Sequence, residues 1–308
     1  KPKIIGVTGT NGKSTVTALI AHCLEAPPLG NFGDPLINYV GKKHPYLVVE
    51  LSSYQLERTV AFKPDIALIL NITPDHLERH KTIEEYSFQK AKIVKNQDQA
   101  DTVIYYKDDS RVTQIATSSN AKLDGFNVDS DKGEYCKYSE LIGDHNKLNI
   151  IASIKAIKHL EDPALTESKI IQKLQTFKTL AHRMEKVAEF NKIIFINDSK
   201  STNPDSTTIA VNAFEKPVHL ILCGDDKGLK INEFLERMIS RVNTIITFGG
   251  ISDRIETIIK QLNSSFPIYK TSSLYECCQK AFQLSEQNHI ILFSPGSSSF
   301  DQFNNFEH

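Results

Sequence analysis

The residues with the clearest chemical potential lie near the start of the chain. Gly6-Val-Thr-Gly9-Thr10-Asn11-Gly12-Lys13-Ser14-Thr15 follows a short apolar run and leads into a helical pattern. Glycines in such a loop let backbone N–H groups converge on phosphate oxygens, and the helix N-terminus adds partial positive charge. Lys13 can then reach terminal phosphates, and Ser14 offers a hydroxyl to Mg2+. The strict pattern G-x-x-x-x-G-K-[ST] requires glycine at position 7, where Val7 stands. The segment is therefore a variant phosphate loop, of the kind that holds a nucleoside triphosphate.

Further polar clusters follow apolar runs, where ligands gather in doubly wound folds. Glu50-Leu-Ser52-Ser53-Tyr54-Gln55 places a carboxylate where hard oxygen donors could hold Mg2+ opposite the phosphate loop. Asn71-Ile-Thr73-Pro74-Asp75-His76-Leu-Glu78-Arg79-His80 puts His76 after a strand end, where an imidazole ligates a metal, orients a carboxylate or simply faces water. In Tyr86-Ser-Phe-Gln-Lys90-Ala-Lys92, charge alone does not say which lysine faces inward. Gly143-Asp-His-Asn146-Lys-Leu-Asn149 sets two side-chain amides three residues apart on a helix face, a spacing suited to reading a purine edge. Further on, Ala181-His182-Arg183-Met184-Glu185 marks a joint, and Asn197-Asp198-Ser199-Lys200-Ser201-Thr202-Asn203-Pro204 follows a strand. Arg183 and Lys200 can each neutralise developing phosphoryl charge. Cys223-Gly-Asp-Asp-Lys227-Gly228 and Ser294-Pro-Gly-Ser-Ser-Ser299-Phe300-Asp-Gln-Phe303 supply a cation and hydroxyls for a small acidic substrate.

Continuous apolar runs at 4–8, 46–50, 66–71 and 102–106 read as strands buried on both faces, with helices over 14–25 and 83–95. A second series follows, with strands at 192–197, 219–223, 244–248 and 289–294 and helices at 206–214, 231–239, 251–261 and 274–283. The expected fold is α/β: a mostly parallel central sheet over 1–184, then a smaller Rossmann-like domain over 185–308. The boundary is placed near Met184. The 308 residues carry 36 basic and 37 acidic side chains, so no charge excess points to nucleic acid, a membrane surface or a polyanion, and this balance leaves room for a local phosphate site. No apolar run approaches the ~20 residues that span a bilayer, so a cytosolic protein without membrane attachment is expected. The five cysteines lack paired spacing and are expected to be reduced and buried.

Taken together and in this order, Gly-Thr-Asn-Gly-Lys-Ser-Thr, Glu-Leu-Ser-Ser-Tyr-Gln-Leu-Glu, Asn-Ile-Thr-Pro-Asp-His-Leu-Glu-Arg-His, Gly-Asp-His-Asn-Lys-Leu-Asn, Ala-His-Arg-Met-Glu, Asn-Asp-Ser-Lys-Ser-Thr-Asn and Ser-Pro-Gly-Ser-Ser-Ser-Phe-Asp-Gln-Phe resemble the Mur ligases. The Glu50 and Ser294 segments resemble most the branch that adds D-glutamate. The resemblance implies ATP-dependent amide formation between UDP-N-acetylmuramoyl-L-alanine and D-glutamate through an acyl phosphate, serving peptidoglycan synthesis, cell shape and cell division.

It also implies residue roles. Gly9, Thr10, Asn11, Gly12, Lys13, Ser14, Thr15, Asn146, Asn149, Arg183 and Asp198 would bind ATP. Ser14, Glu50 and His76 would hold Mg2+, with Lys90 as a carbamate and Lys92 as the competing choice. Lys13, His76, Lys90 and Arg183 would carry catalysis. Asn31, Ser52 and Gln55 would contact the muramoyl substrate, and His182, Lys200, Thr202, Lys227, Ser299, Phe300 and Phe306 would serve closure and D-glutamate. A monomer is expected. Nothing here corresponds to the family's uridine-nucleotide domain, so residues 1–308 alone are expected to turn over weakly. The link from Glu25 to Gly30 is shorter than the family's. Another Mur ligase, folylpolyglutamate synthase and a non-catalytic P-loop ATPase regulator remain as alternatives.

Overall fold

The computed structural model describes residues 1–130, 134–225, 231–306 and 308, with only the backbone of Leu77 and Glu78. The chain divides into two compact units, Lys1–Lys178 and Thr179–His308. The boundary expected near Met184 thus falls inside the second unit. Local bonds explain this: Met184 N–H donates to Asp198 Oδ1 at 3.1 Å and Lys200 N–H to the His182 carbonyl at 3.1 Å, tying 182–184 to the loop that follows the next strand.

Unit 1 contains β1 (Lys3–Thr8), β2 (Pro28–Gly30), β3 (Tyr46–Glu50), β4 (Ile66–Ile69), β5 (Thr102–Tyr106) and β6 (Lys122–Phe126). They form one sheet in the order β2-β3-β1-β4-β5-β6, with every pairing parallel. Its helices are α1 (Lys13–Leu24), α2 (Ser53–Glu57), α3 (Leu77–His80), α4 (Ile83–Ala91), α5 (Ser110–Thr117), α6 (Asp144–Lys158) and α7 (Glu167–Thr176). α1 packs on α6 and α7, while α4 packs on α2 and α5. Ile5, Val7, Val48, Leu68 and Ile104 are almost wholly excluded from water, the burial that continuous apolar strands require. The chain runs from β1 to one edge and back through β3, then crosses to β4 on the other side of β1. That reversal opens the crevice at the carboxyl ends of β1, β3 and β4, the usual ligand position.

Unit 2 contains β7 (Glu185–Phe190), β8 (Ile193–Asn197), β9 (Val218–Cys223), β10 (Thr244–Phe248), β11 (Ile268–Lys270) and β12 (Ile290–Phe293), in the order β11-β10-β9-β12-β8-β7. Among the described residues only the β7–β8 pairing is antiparallel. Helices α8 (Pro204–Asn212), α9 (Asn232–Ile239), α10 (Ser252–Leu262) and α11 (Leu274–Leu284) make the crossovers. Asn203 caps α8 through Ser206 N–H, with proline in the first turn, so this helix starts earlier than apolar periodicity suggests.

Three further differences separate the structure from the sequence-based expectation. The helix expected over 83–95 ends at Ala91, because its tail tightens into bonds such as Ile93 N–H to the Lys90 carbonyl. The strand expected over 66–71 ends at Ile69, where the chain turns into the crevice. Cys23, Cys223 and Cys277 are buried as expected, but Cys136 and Cys278 are partly exposed. Among the described residues no helix is long and apolar enough to cross a membrane.

At the opposite, amino-terminal edge of the unit 2 sheet, His219 is 2% exposed. Its Nδ1 lies 2.9 Å from Thr244 Oγ1 and its Nε2 3.0 Å from His289 Nδ1. Burial, reinforced by His289, pushes its pKa down to about 4. The folded state therefore resists a proton that the unfolded chain accepts near pH 6.5, so this group's contribution is intact at neutral pH and is lost as pH falls from about 6.5 to about 4. Hydrogen exchange of β9 amides is expected to report about 3 kcal/mol less protection at the lower end of that window. His219→Gln should flatten the dependence, and equal losses in both proteins would show that His219 is not its source.

Candidate active site

The carboxyl end of β1 delivers the phosphate loop, and its shape follows from glycine. Gly12 sits at φ +86° immediately before α1, and a Cβ there would lie 2.4 Å from Asn149 Oδ1. The turn therefore has both a backbone and a space requirement that only glycine meets. Ser14 and Thr15, in the first turn of α1, are buried at 6% and 9% exposure. Lys13 Nζ folds back to the Thr10 carbonyl at 2.8 Å, which places its cation over the loop.

β3 delivers Glu50 beside this loop. Glu50 is 1% exposed; Oε1 accepts from Asn31 Nδ2 at 2.8 Å, while Oε2 is buried with no hydrogen-bond partner among the described residues. Such an oxygen is costly unless a cation or donor arrives. Asn31, expected to contact substrate, thus also holds Glu50, and Gly30 allows the approach because a Cβ there would meet the Glu50 carbonyl at 2.3 Å. Ser52 and Gln55 form the capping box of α2, with Ser52 N–H donating to Gln55 Oε1 at 2.9 Å. The oxygen of Gln55 is engaged in that cap rather than presented for a substrate.

Lys90 and Lys92 point in different directions. Lys90 is 1% exposed and donates from Nζ to the Gly9 carbonyl at 2.7 Å, with the Tyr86 ring 4.6 Å away. Lys92 instead donates to the Glu57 carbonyl at the end of α2. Burial holds the Lys90 pKa well below the usual lysine range; Lys13 pushes it further, while Asp75 and Glu50 oppose. A lysine with this bias presents a neutral, nucleophilic amine far more readily than an exposed one. Tyr86 closes the pocket, its hydroxyl 3.2 Å from Thr10 Oγ1.

His76 follows β4 at φ +53°, with its side chain 44% exposed, Nε2 3.6 Å from Asp75 and the Tyr54 ring at 5.1 Å. The buried imidazole of this segment is instead His80, which the sequence pattern did not distinguish; its Nε2 lies 2.9 Å from Ser53 Oγ. Among the described residues no three His, Cys, Asp or Glu side chains gather to hold a metal.

The paired amides behave differently from the expectation. Asn149 Nδ2 donates to Asn146 Oδ1 at 2.9 Å, and Asn146 Nδ2 to the Ile142 carbonyl at 2.8 Å. Both are buried, and Asn149 abuts Gly12 rather than presenting a free edge to a base. They sit behind the phosphate loop.

In unit 2 the polar groups again collect at strand ends. Asp198 after β8 is 4% exposed, accepts from Met184 N–H and takes Ser294 Oγ–H at 2.8 Å. Burial raises its pKa to about 6, against those hydrogen bonds and the nearby Arg183. Arg183 stands between His182 at φ +64° and Met184 at φ +51°, a strained turn of the sort found at functional sites. His182 Nδ1 lies 3.1 Å from Ser199 Oγ, and its ring lies 5.9 Å from that of Phe306. Lys200 Nζ sits 3.6 Å from the centre of the Phe306 ring. Thr202 follows in the same turn, its N–H bonded to the Lys200 carbonyl. Ser299 is buried at 7% exposure and Phe300 is 67% exposed. His182, Ser199, Ser299 and Phe306 are among the residues that line a cavity of about 350 Å3. Lys227 lies outside the described residues.

Comparison with known proteins gives the family of the chain. Residues 7–137 match the Mur ligase middle domain, and residues 182–296 the Mur ligase glutamate ligase domain. The chain belongs to the Mur ligase family. Relatives from Clostridioides difficile and Caldanaerobacter subterraneus, both named UDP-N-acetylmuramoylalanine--D-glutamate ligase, are each 35% identical; 99% and 100% of this chain are covered, and 73% of each relative. Among solved structures, MurF from Acinetobacter baumannii superposes with TM-score 0.73 at 18% identity over 98% of this chain and 75% of that one. MurF from Thermotoga maritima in complex with ADP gives TM-score 0.70 at 18% identity, covering 95% and 76%. These two establish the fold.

Gly12→Ala tests the geometry of this Mur ligase phosphate loop. The left-handed backbone costs a non-glycine residue about 1–2 kcal/mol, and the added methyl displaces Asn149. ADP affinity is expected to fall about tenfold or more with the far-ultraviolet circular dichroism unchanged. Unaltered affinity would mean that the loop does not hold phosphate in this conformation.

Proposed function

We propose that this protein joins D-glutamate to UDP-N-acetylmuramoyl-L-alanine at the expense of ATP, a step of peptidoglycan precursor synthesis that underlies cell wall growth and division in the cytoplasm. The observation that carries this reading is likeness along the whole chain to relatives named for that reaction, joined to a phosphate loop with a buried lysine and a buried carboxylate beside it.

The reaction joins two anions before it joins an amine. The L-alanyl carboxylate attacks the γ-phosphorus of ATP, the bond to the β-γ bridging oxygen breaks, and an acyl phosphate and ADP result. The amine of D-glutamate then adds to the acyl carbon, loses a proton, and the tetrahedral intermediate expels inorganic phosphate as the amide forms. Like charges repel in the first step, so the chain must supply positive charge where the phosphoryl group passes. In unit 1 the Lys13 ammonium, the amides opening α1 and the positive end of the helix supply it. Within unit 2, likeness to the family assigns Arg183 to ATP, in a turn tied to Asp198 through Met184 N–H, and assigns Lys200, Thr202, Lys227, Ser299, Phe300 and Phe306 to the acceptor.

The donor set fits Mg2+. Glu50 Oε2 is buried without a partner, Ser14 adds a hydroxyl, His76 an imidazole, and Lys90 would add a carboxylate-like oxygen once carbamylated. Bound there, the ion would neutralise phosphate charge. Lys90 suits carbamylation because burial favours its neutral amine, the form that combines with carbon dioxide. Asp198 stays buried and anchors the Arg183 turn through Met184 N–H.

ATP-dependent phosphate release in the presence of UDP-N-acetylmuramoyl-L-alanine tests the reading. D-glutamate is expected to stimulate it, and L-glutamate and L-alanine are not. Stimulation by another acceptor would assign a sibling ligase or a folylpolyglutamate synthase-like activity, and release independent of any acceptor would assign an ATPase switch. In the same assay Lys90→Ala should lose about a hundredfold or more of the rate, with recovery on adding a short carboxylic acid. Lys92→Ala should stay within a few-fold of wild type, since its ammonium serves the Glu57 carbonyl. The reverse pattern would move the carbamate to Lys92.

A further inference from the structure

The phosphate loop is held from outside by Asn71 to Thr73, the residues that follow β4 and precede His76. We propose that Asn71 is a positioning residue for ATP. Its side chain fixes the Asn11 peptide group, so that the amides of Gly12 to Thr15, and not that of Asn11, take the phosphates. The proposal rests on the reading of this loop as the ATP site.

An asparagine side chain carries one acceptor oxygen and a donor NH2, and so can pair with the N–H and C=O of a single residue as a neighbouring strand would. Asn71 does this to Asn11. Its Oδ1 accepts Asn11 N–H at 2.8 Å, and its Nδ2 donates to the Asn11 carbonyl at 3.0 Å. The Asn71 carbonyl accepts Thr10 N–H at 2.8 Å, and Thr73 N–H donates to Thr10 Oγ1 at 3.0 Å. Three successive groups of one segment thus bind two successive residues of the loop. The segment is anchored in turn, since Leu70 N–H donates to the Thr8 carbonyl and Ile72 N–H to Asp109 Oδ2 at 2.8 Å. Asp109 is itself the cap of α5, accepting from Arg111 and Val112 N–H.

The consequence concerns which amides face the ligand. A phosphate nest needs several N–H groups pointing one way. The Asn11 N–H points to Asn71 instead, and the left-handed Gly12 then turns the chain so that the following amides open α1. Asn71 acts through Asn11 and touches no reacting atom. Without it, Asn11 loses both partners and the loop can rotate its peptides, which weakens nucleotide binding without altering the acceptor's site in unit 2.

Two measurements decide. In the unaltered protein, an amide NMR titration with ADP should shift Gly12, Lys13, Ser14 and Thr15 strongly, while Asn11 shifts little and exchanges slowly even before ADP is added. In the phosphate-release assay, Asn71→Ala and Asn71→Asp should each raise KM for ATP about tenfold, with KM for D-glutamate within about twofold. The aspartate keeps the acceptor for Asn11 N–H but turns a carboxylate toward the Asn11 carbonyl, so it should not rescue. Asn11 responding to ADP as strongly as Gly12, or unchanged KM for ATP in both variants, overturns the proposal. Lys13→Ala separates this from failure of the underlying reading. If Lys13→Ala abolishes ADP binding while Asn71→Ala binds normally, only the role of Asn71 falls; if Lys13→Ala binds normally, the phosphate-loop reading falls and the role of Asn71 with it. Should neither Asn71 variant fold, the titration of the unaltered protein decides by itself.

Discussion

The arrangement of unit 1 turns on removing Lys90 and Glu50 from water beside a loop shaped for a polyanion. Each is 1% exposed, and one oxygen of Glu50 has no hydrogen-bond partner among the described residues. Burying an unsatisfied carboxylate oxygen costs free energy, and a buried lysine answers by losing its proton more readily. A fold keeps such features when something binds there that offsets the desolvation. The surrounding structure serves this constraint. Gly30 lets Asn31 close on Glu50, Tyr86 walls off Lys90, and α4 orients Lys90 inward while the helix tail carries Lys92 away.

Unit 2 meets a different demand with similar means. Asp198, Ser294 and the Met184 amide form a buried polar knot under the Arg183 turn, which lets two non-glycine residues persist at positive φ. Gly249 and Asp301 make a comparable tie, as Gly250 N–H donates to Asp301 Oδ2 at 2.8 Å and a Cβ on Gly249 would fall 2.5 Å from the same oxygen. The loops after β10 and β12 are thereby fixed to each other. The motif Ser-Phe-Asp-Gln-Phe therefore has a structural component as well as a chemical one.

How much of this was legible in the sequence depended on burial. The central strands β1, β3, β4, β5, β8, β9, β10 and β12 announce themselves because both faces are covered and the sequence is continuously apolar. The edges β6, β7 and β11 do not: Lys122-Leu-Asp-Gly-Phe carries charge and is exposed at its first two residues, Glu185-Lys-Val-Ala-Glu-Phe is charged and largely exposed, and Ile268–Lys270 is too short for a pattern. β2 survives as only three residues in the short link before Gly30. Polar residues at strand ends were legible as a group, but their individual tasks were not. Gln55 and the pair Asn146 and Asn149 are occupied by hydrogen bonds that depend on helix starts and side-chain directions. Asn71 makes its contacts across 60 residues of sequence, a relation that no local pattern encodes.

If Lys90 is held as a reactive amine beside the phosphate loop and becomes the oxygen donor that complements Glu50, it must take up carbon dioxide in the folded protein. Equilibrating the protein with 13C-labelled bicarbonate and recording its 13C NMR spectrum reads this out. A carbamate resonance is expected in the unaltered protein and in Lys92→Ala, and its loss is expected in Lys90→Ala. A spectrum without a carbamate signal, or a signal that persists unchanged in Lys90→Ala, would mean that Lys90 is not that donor.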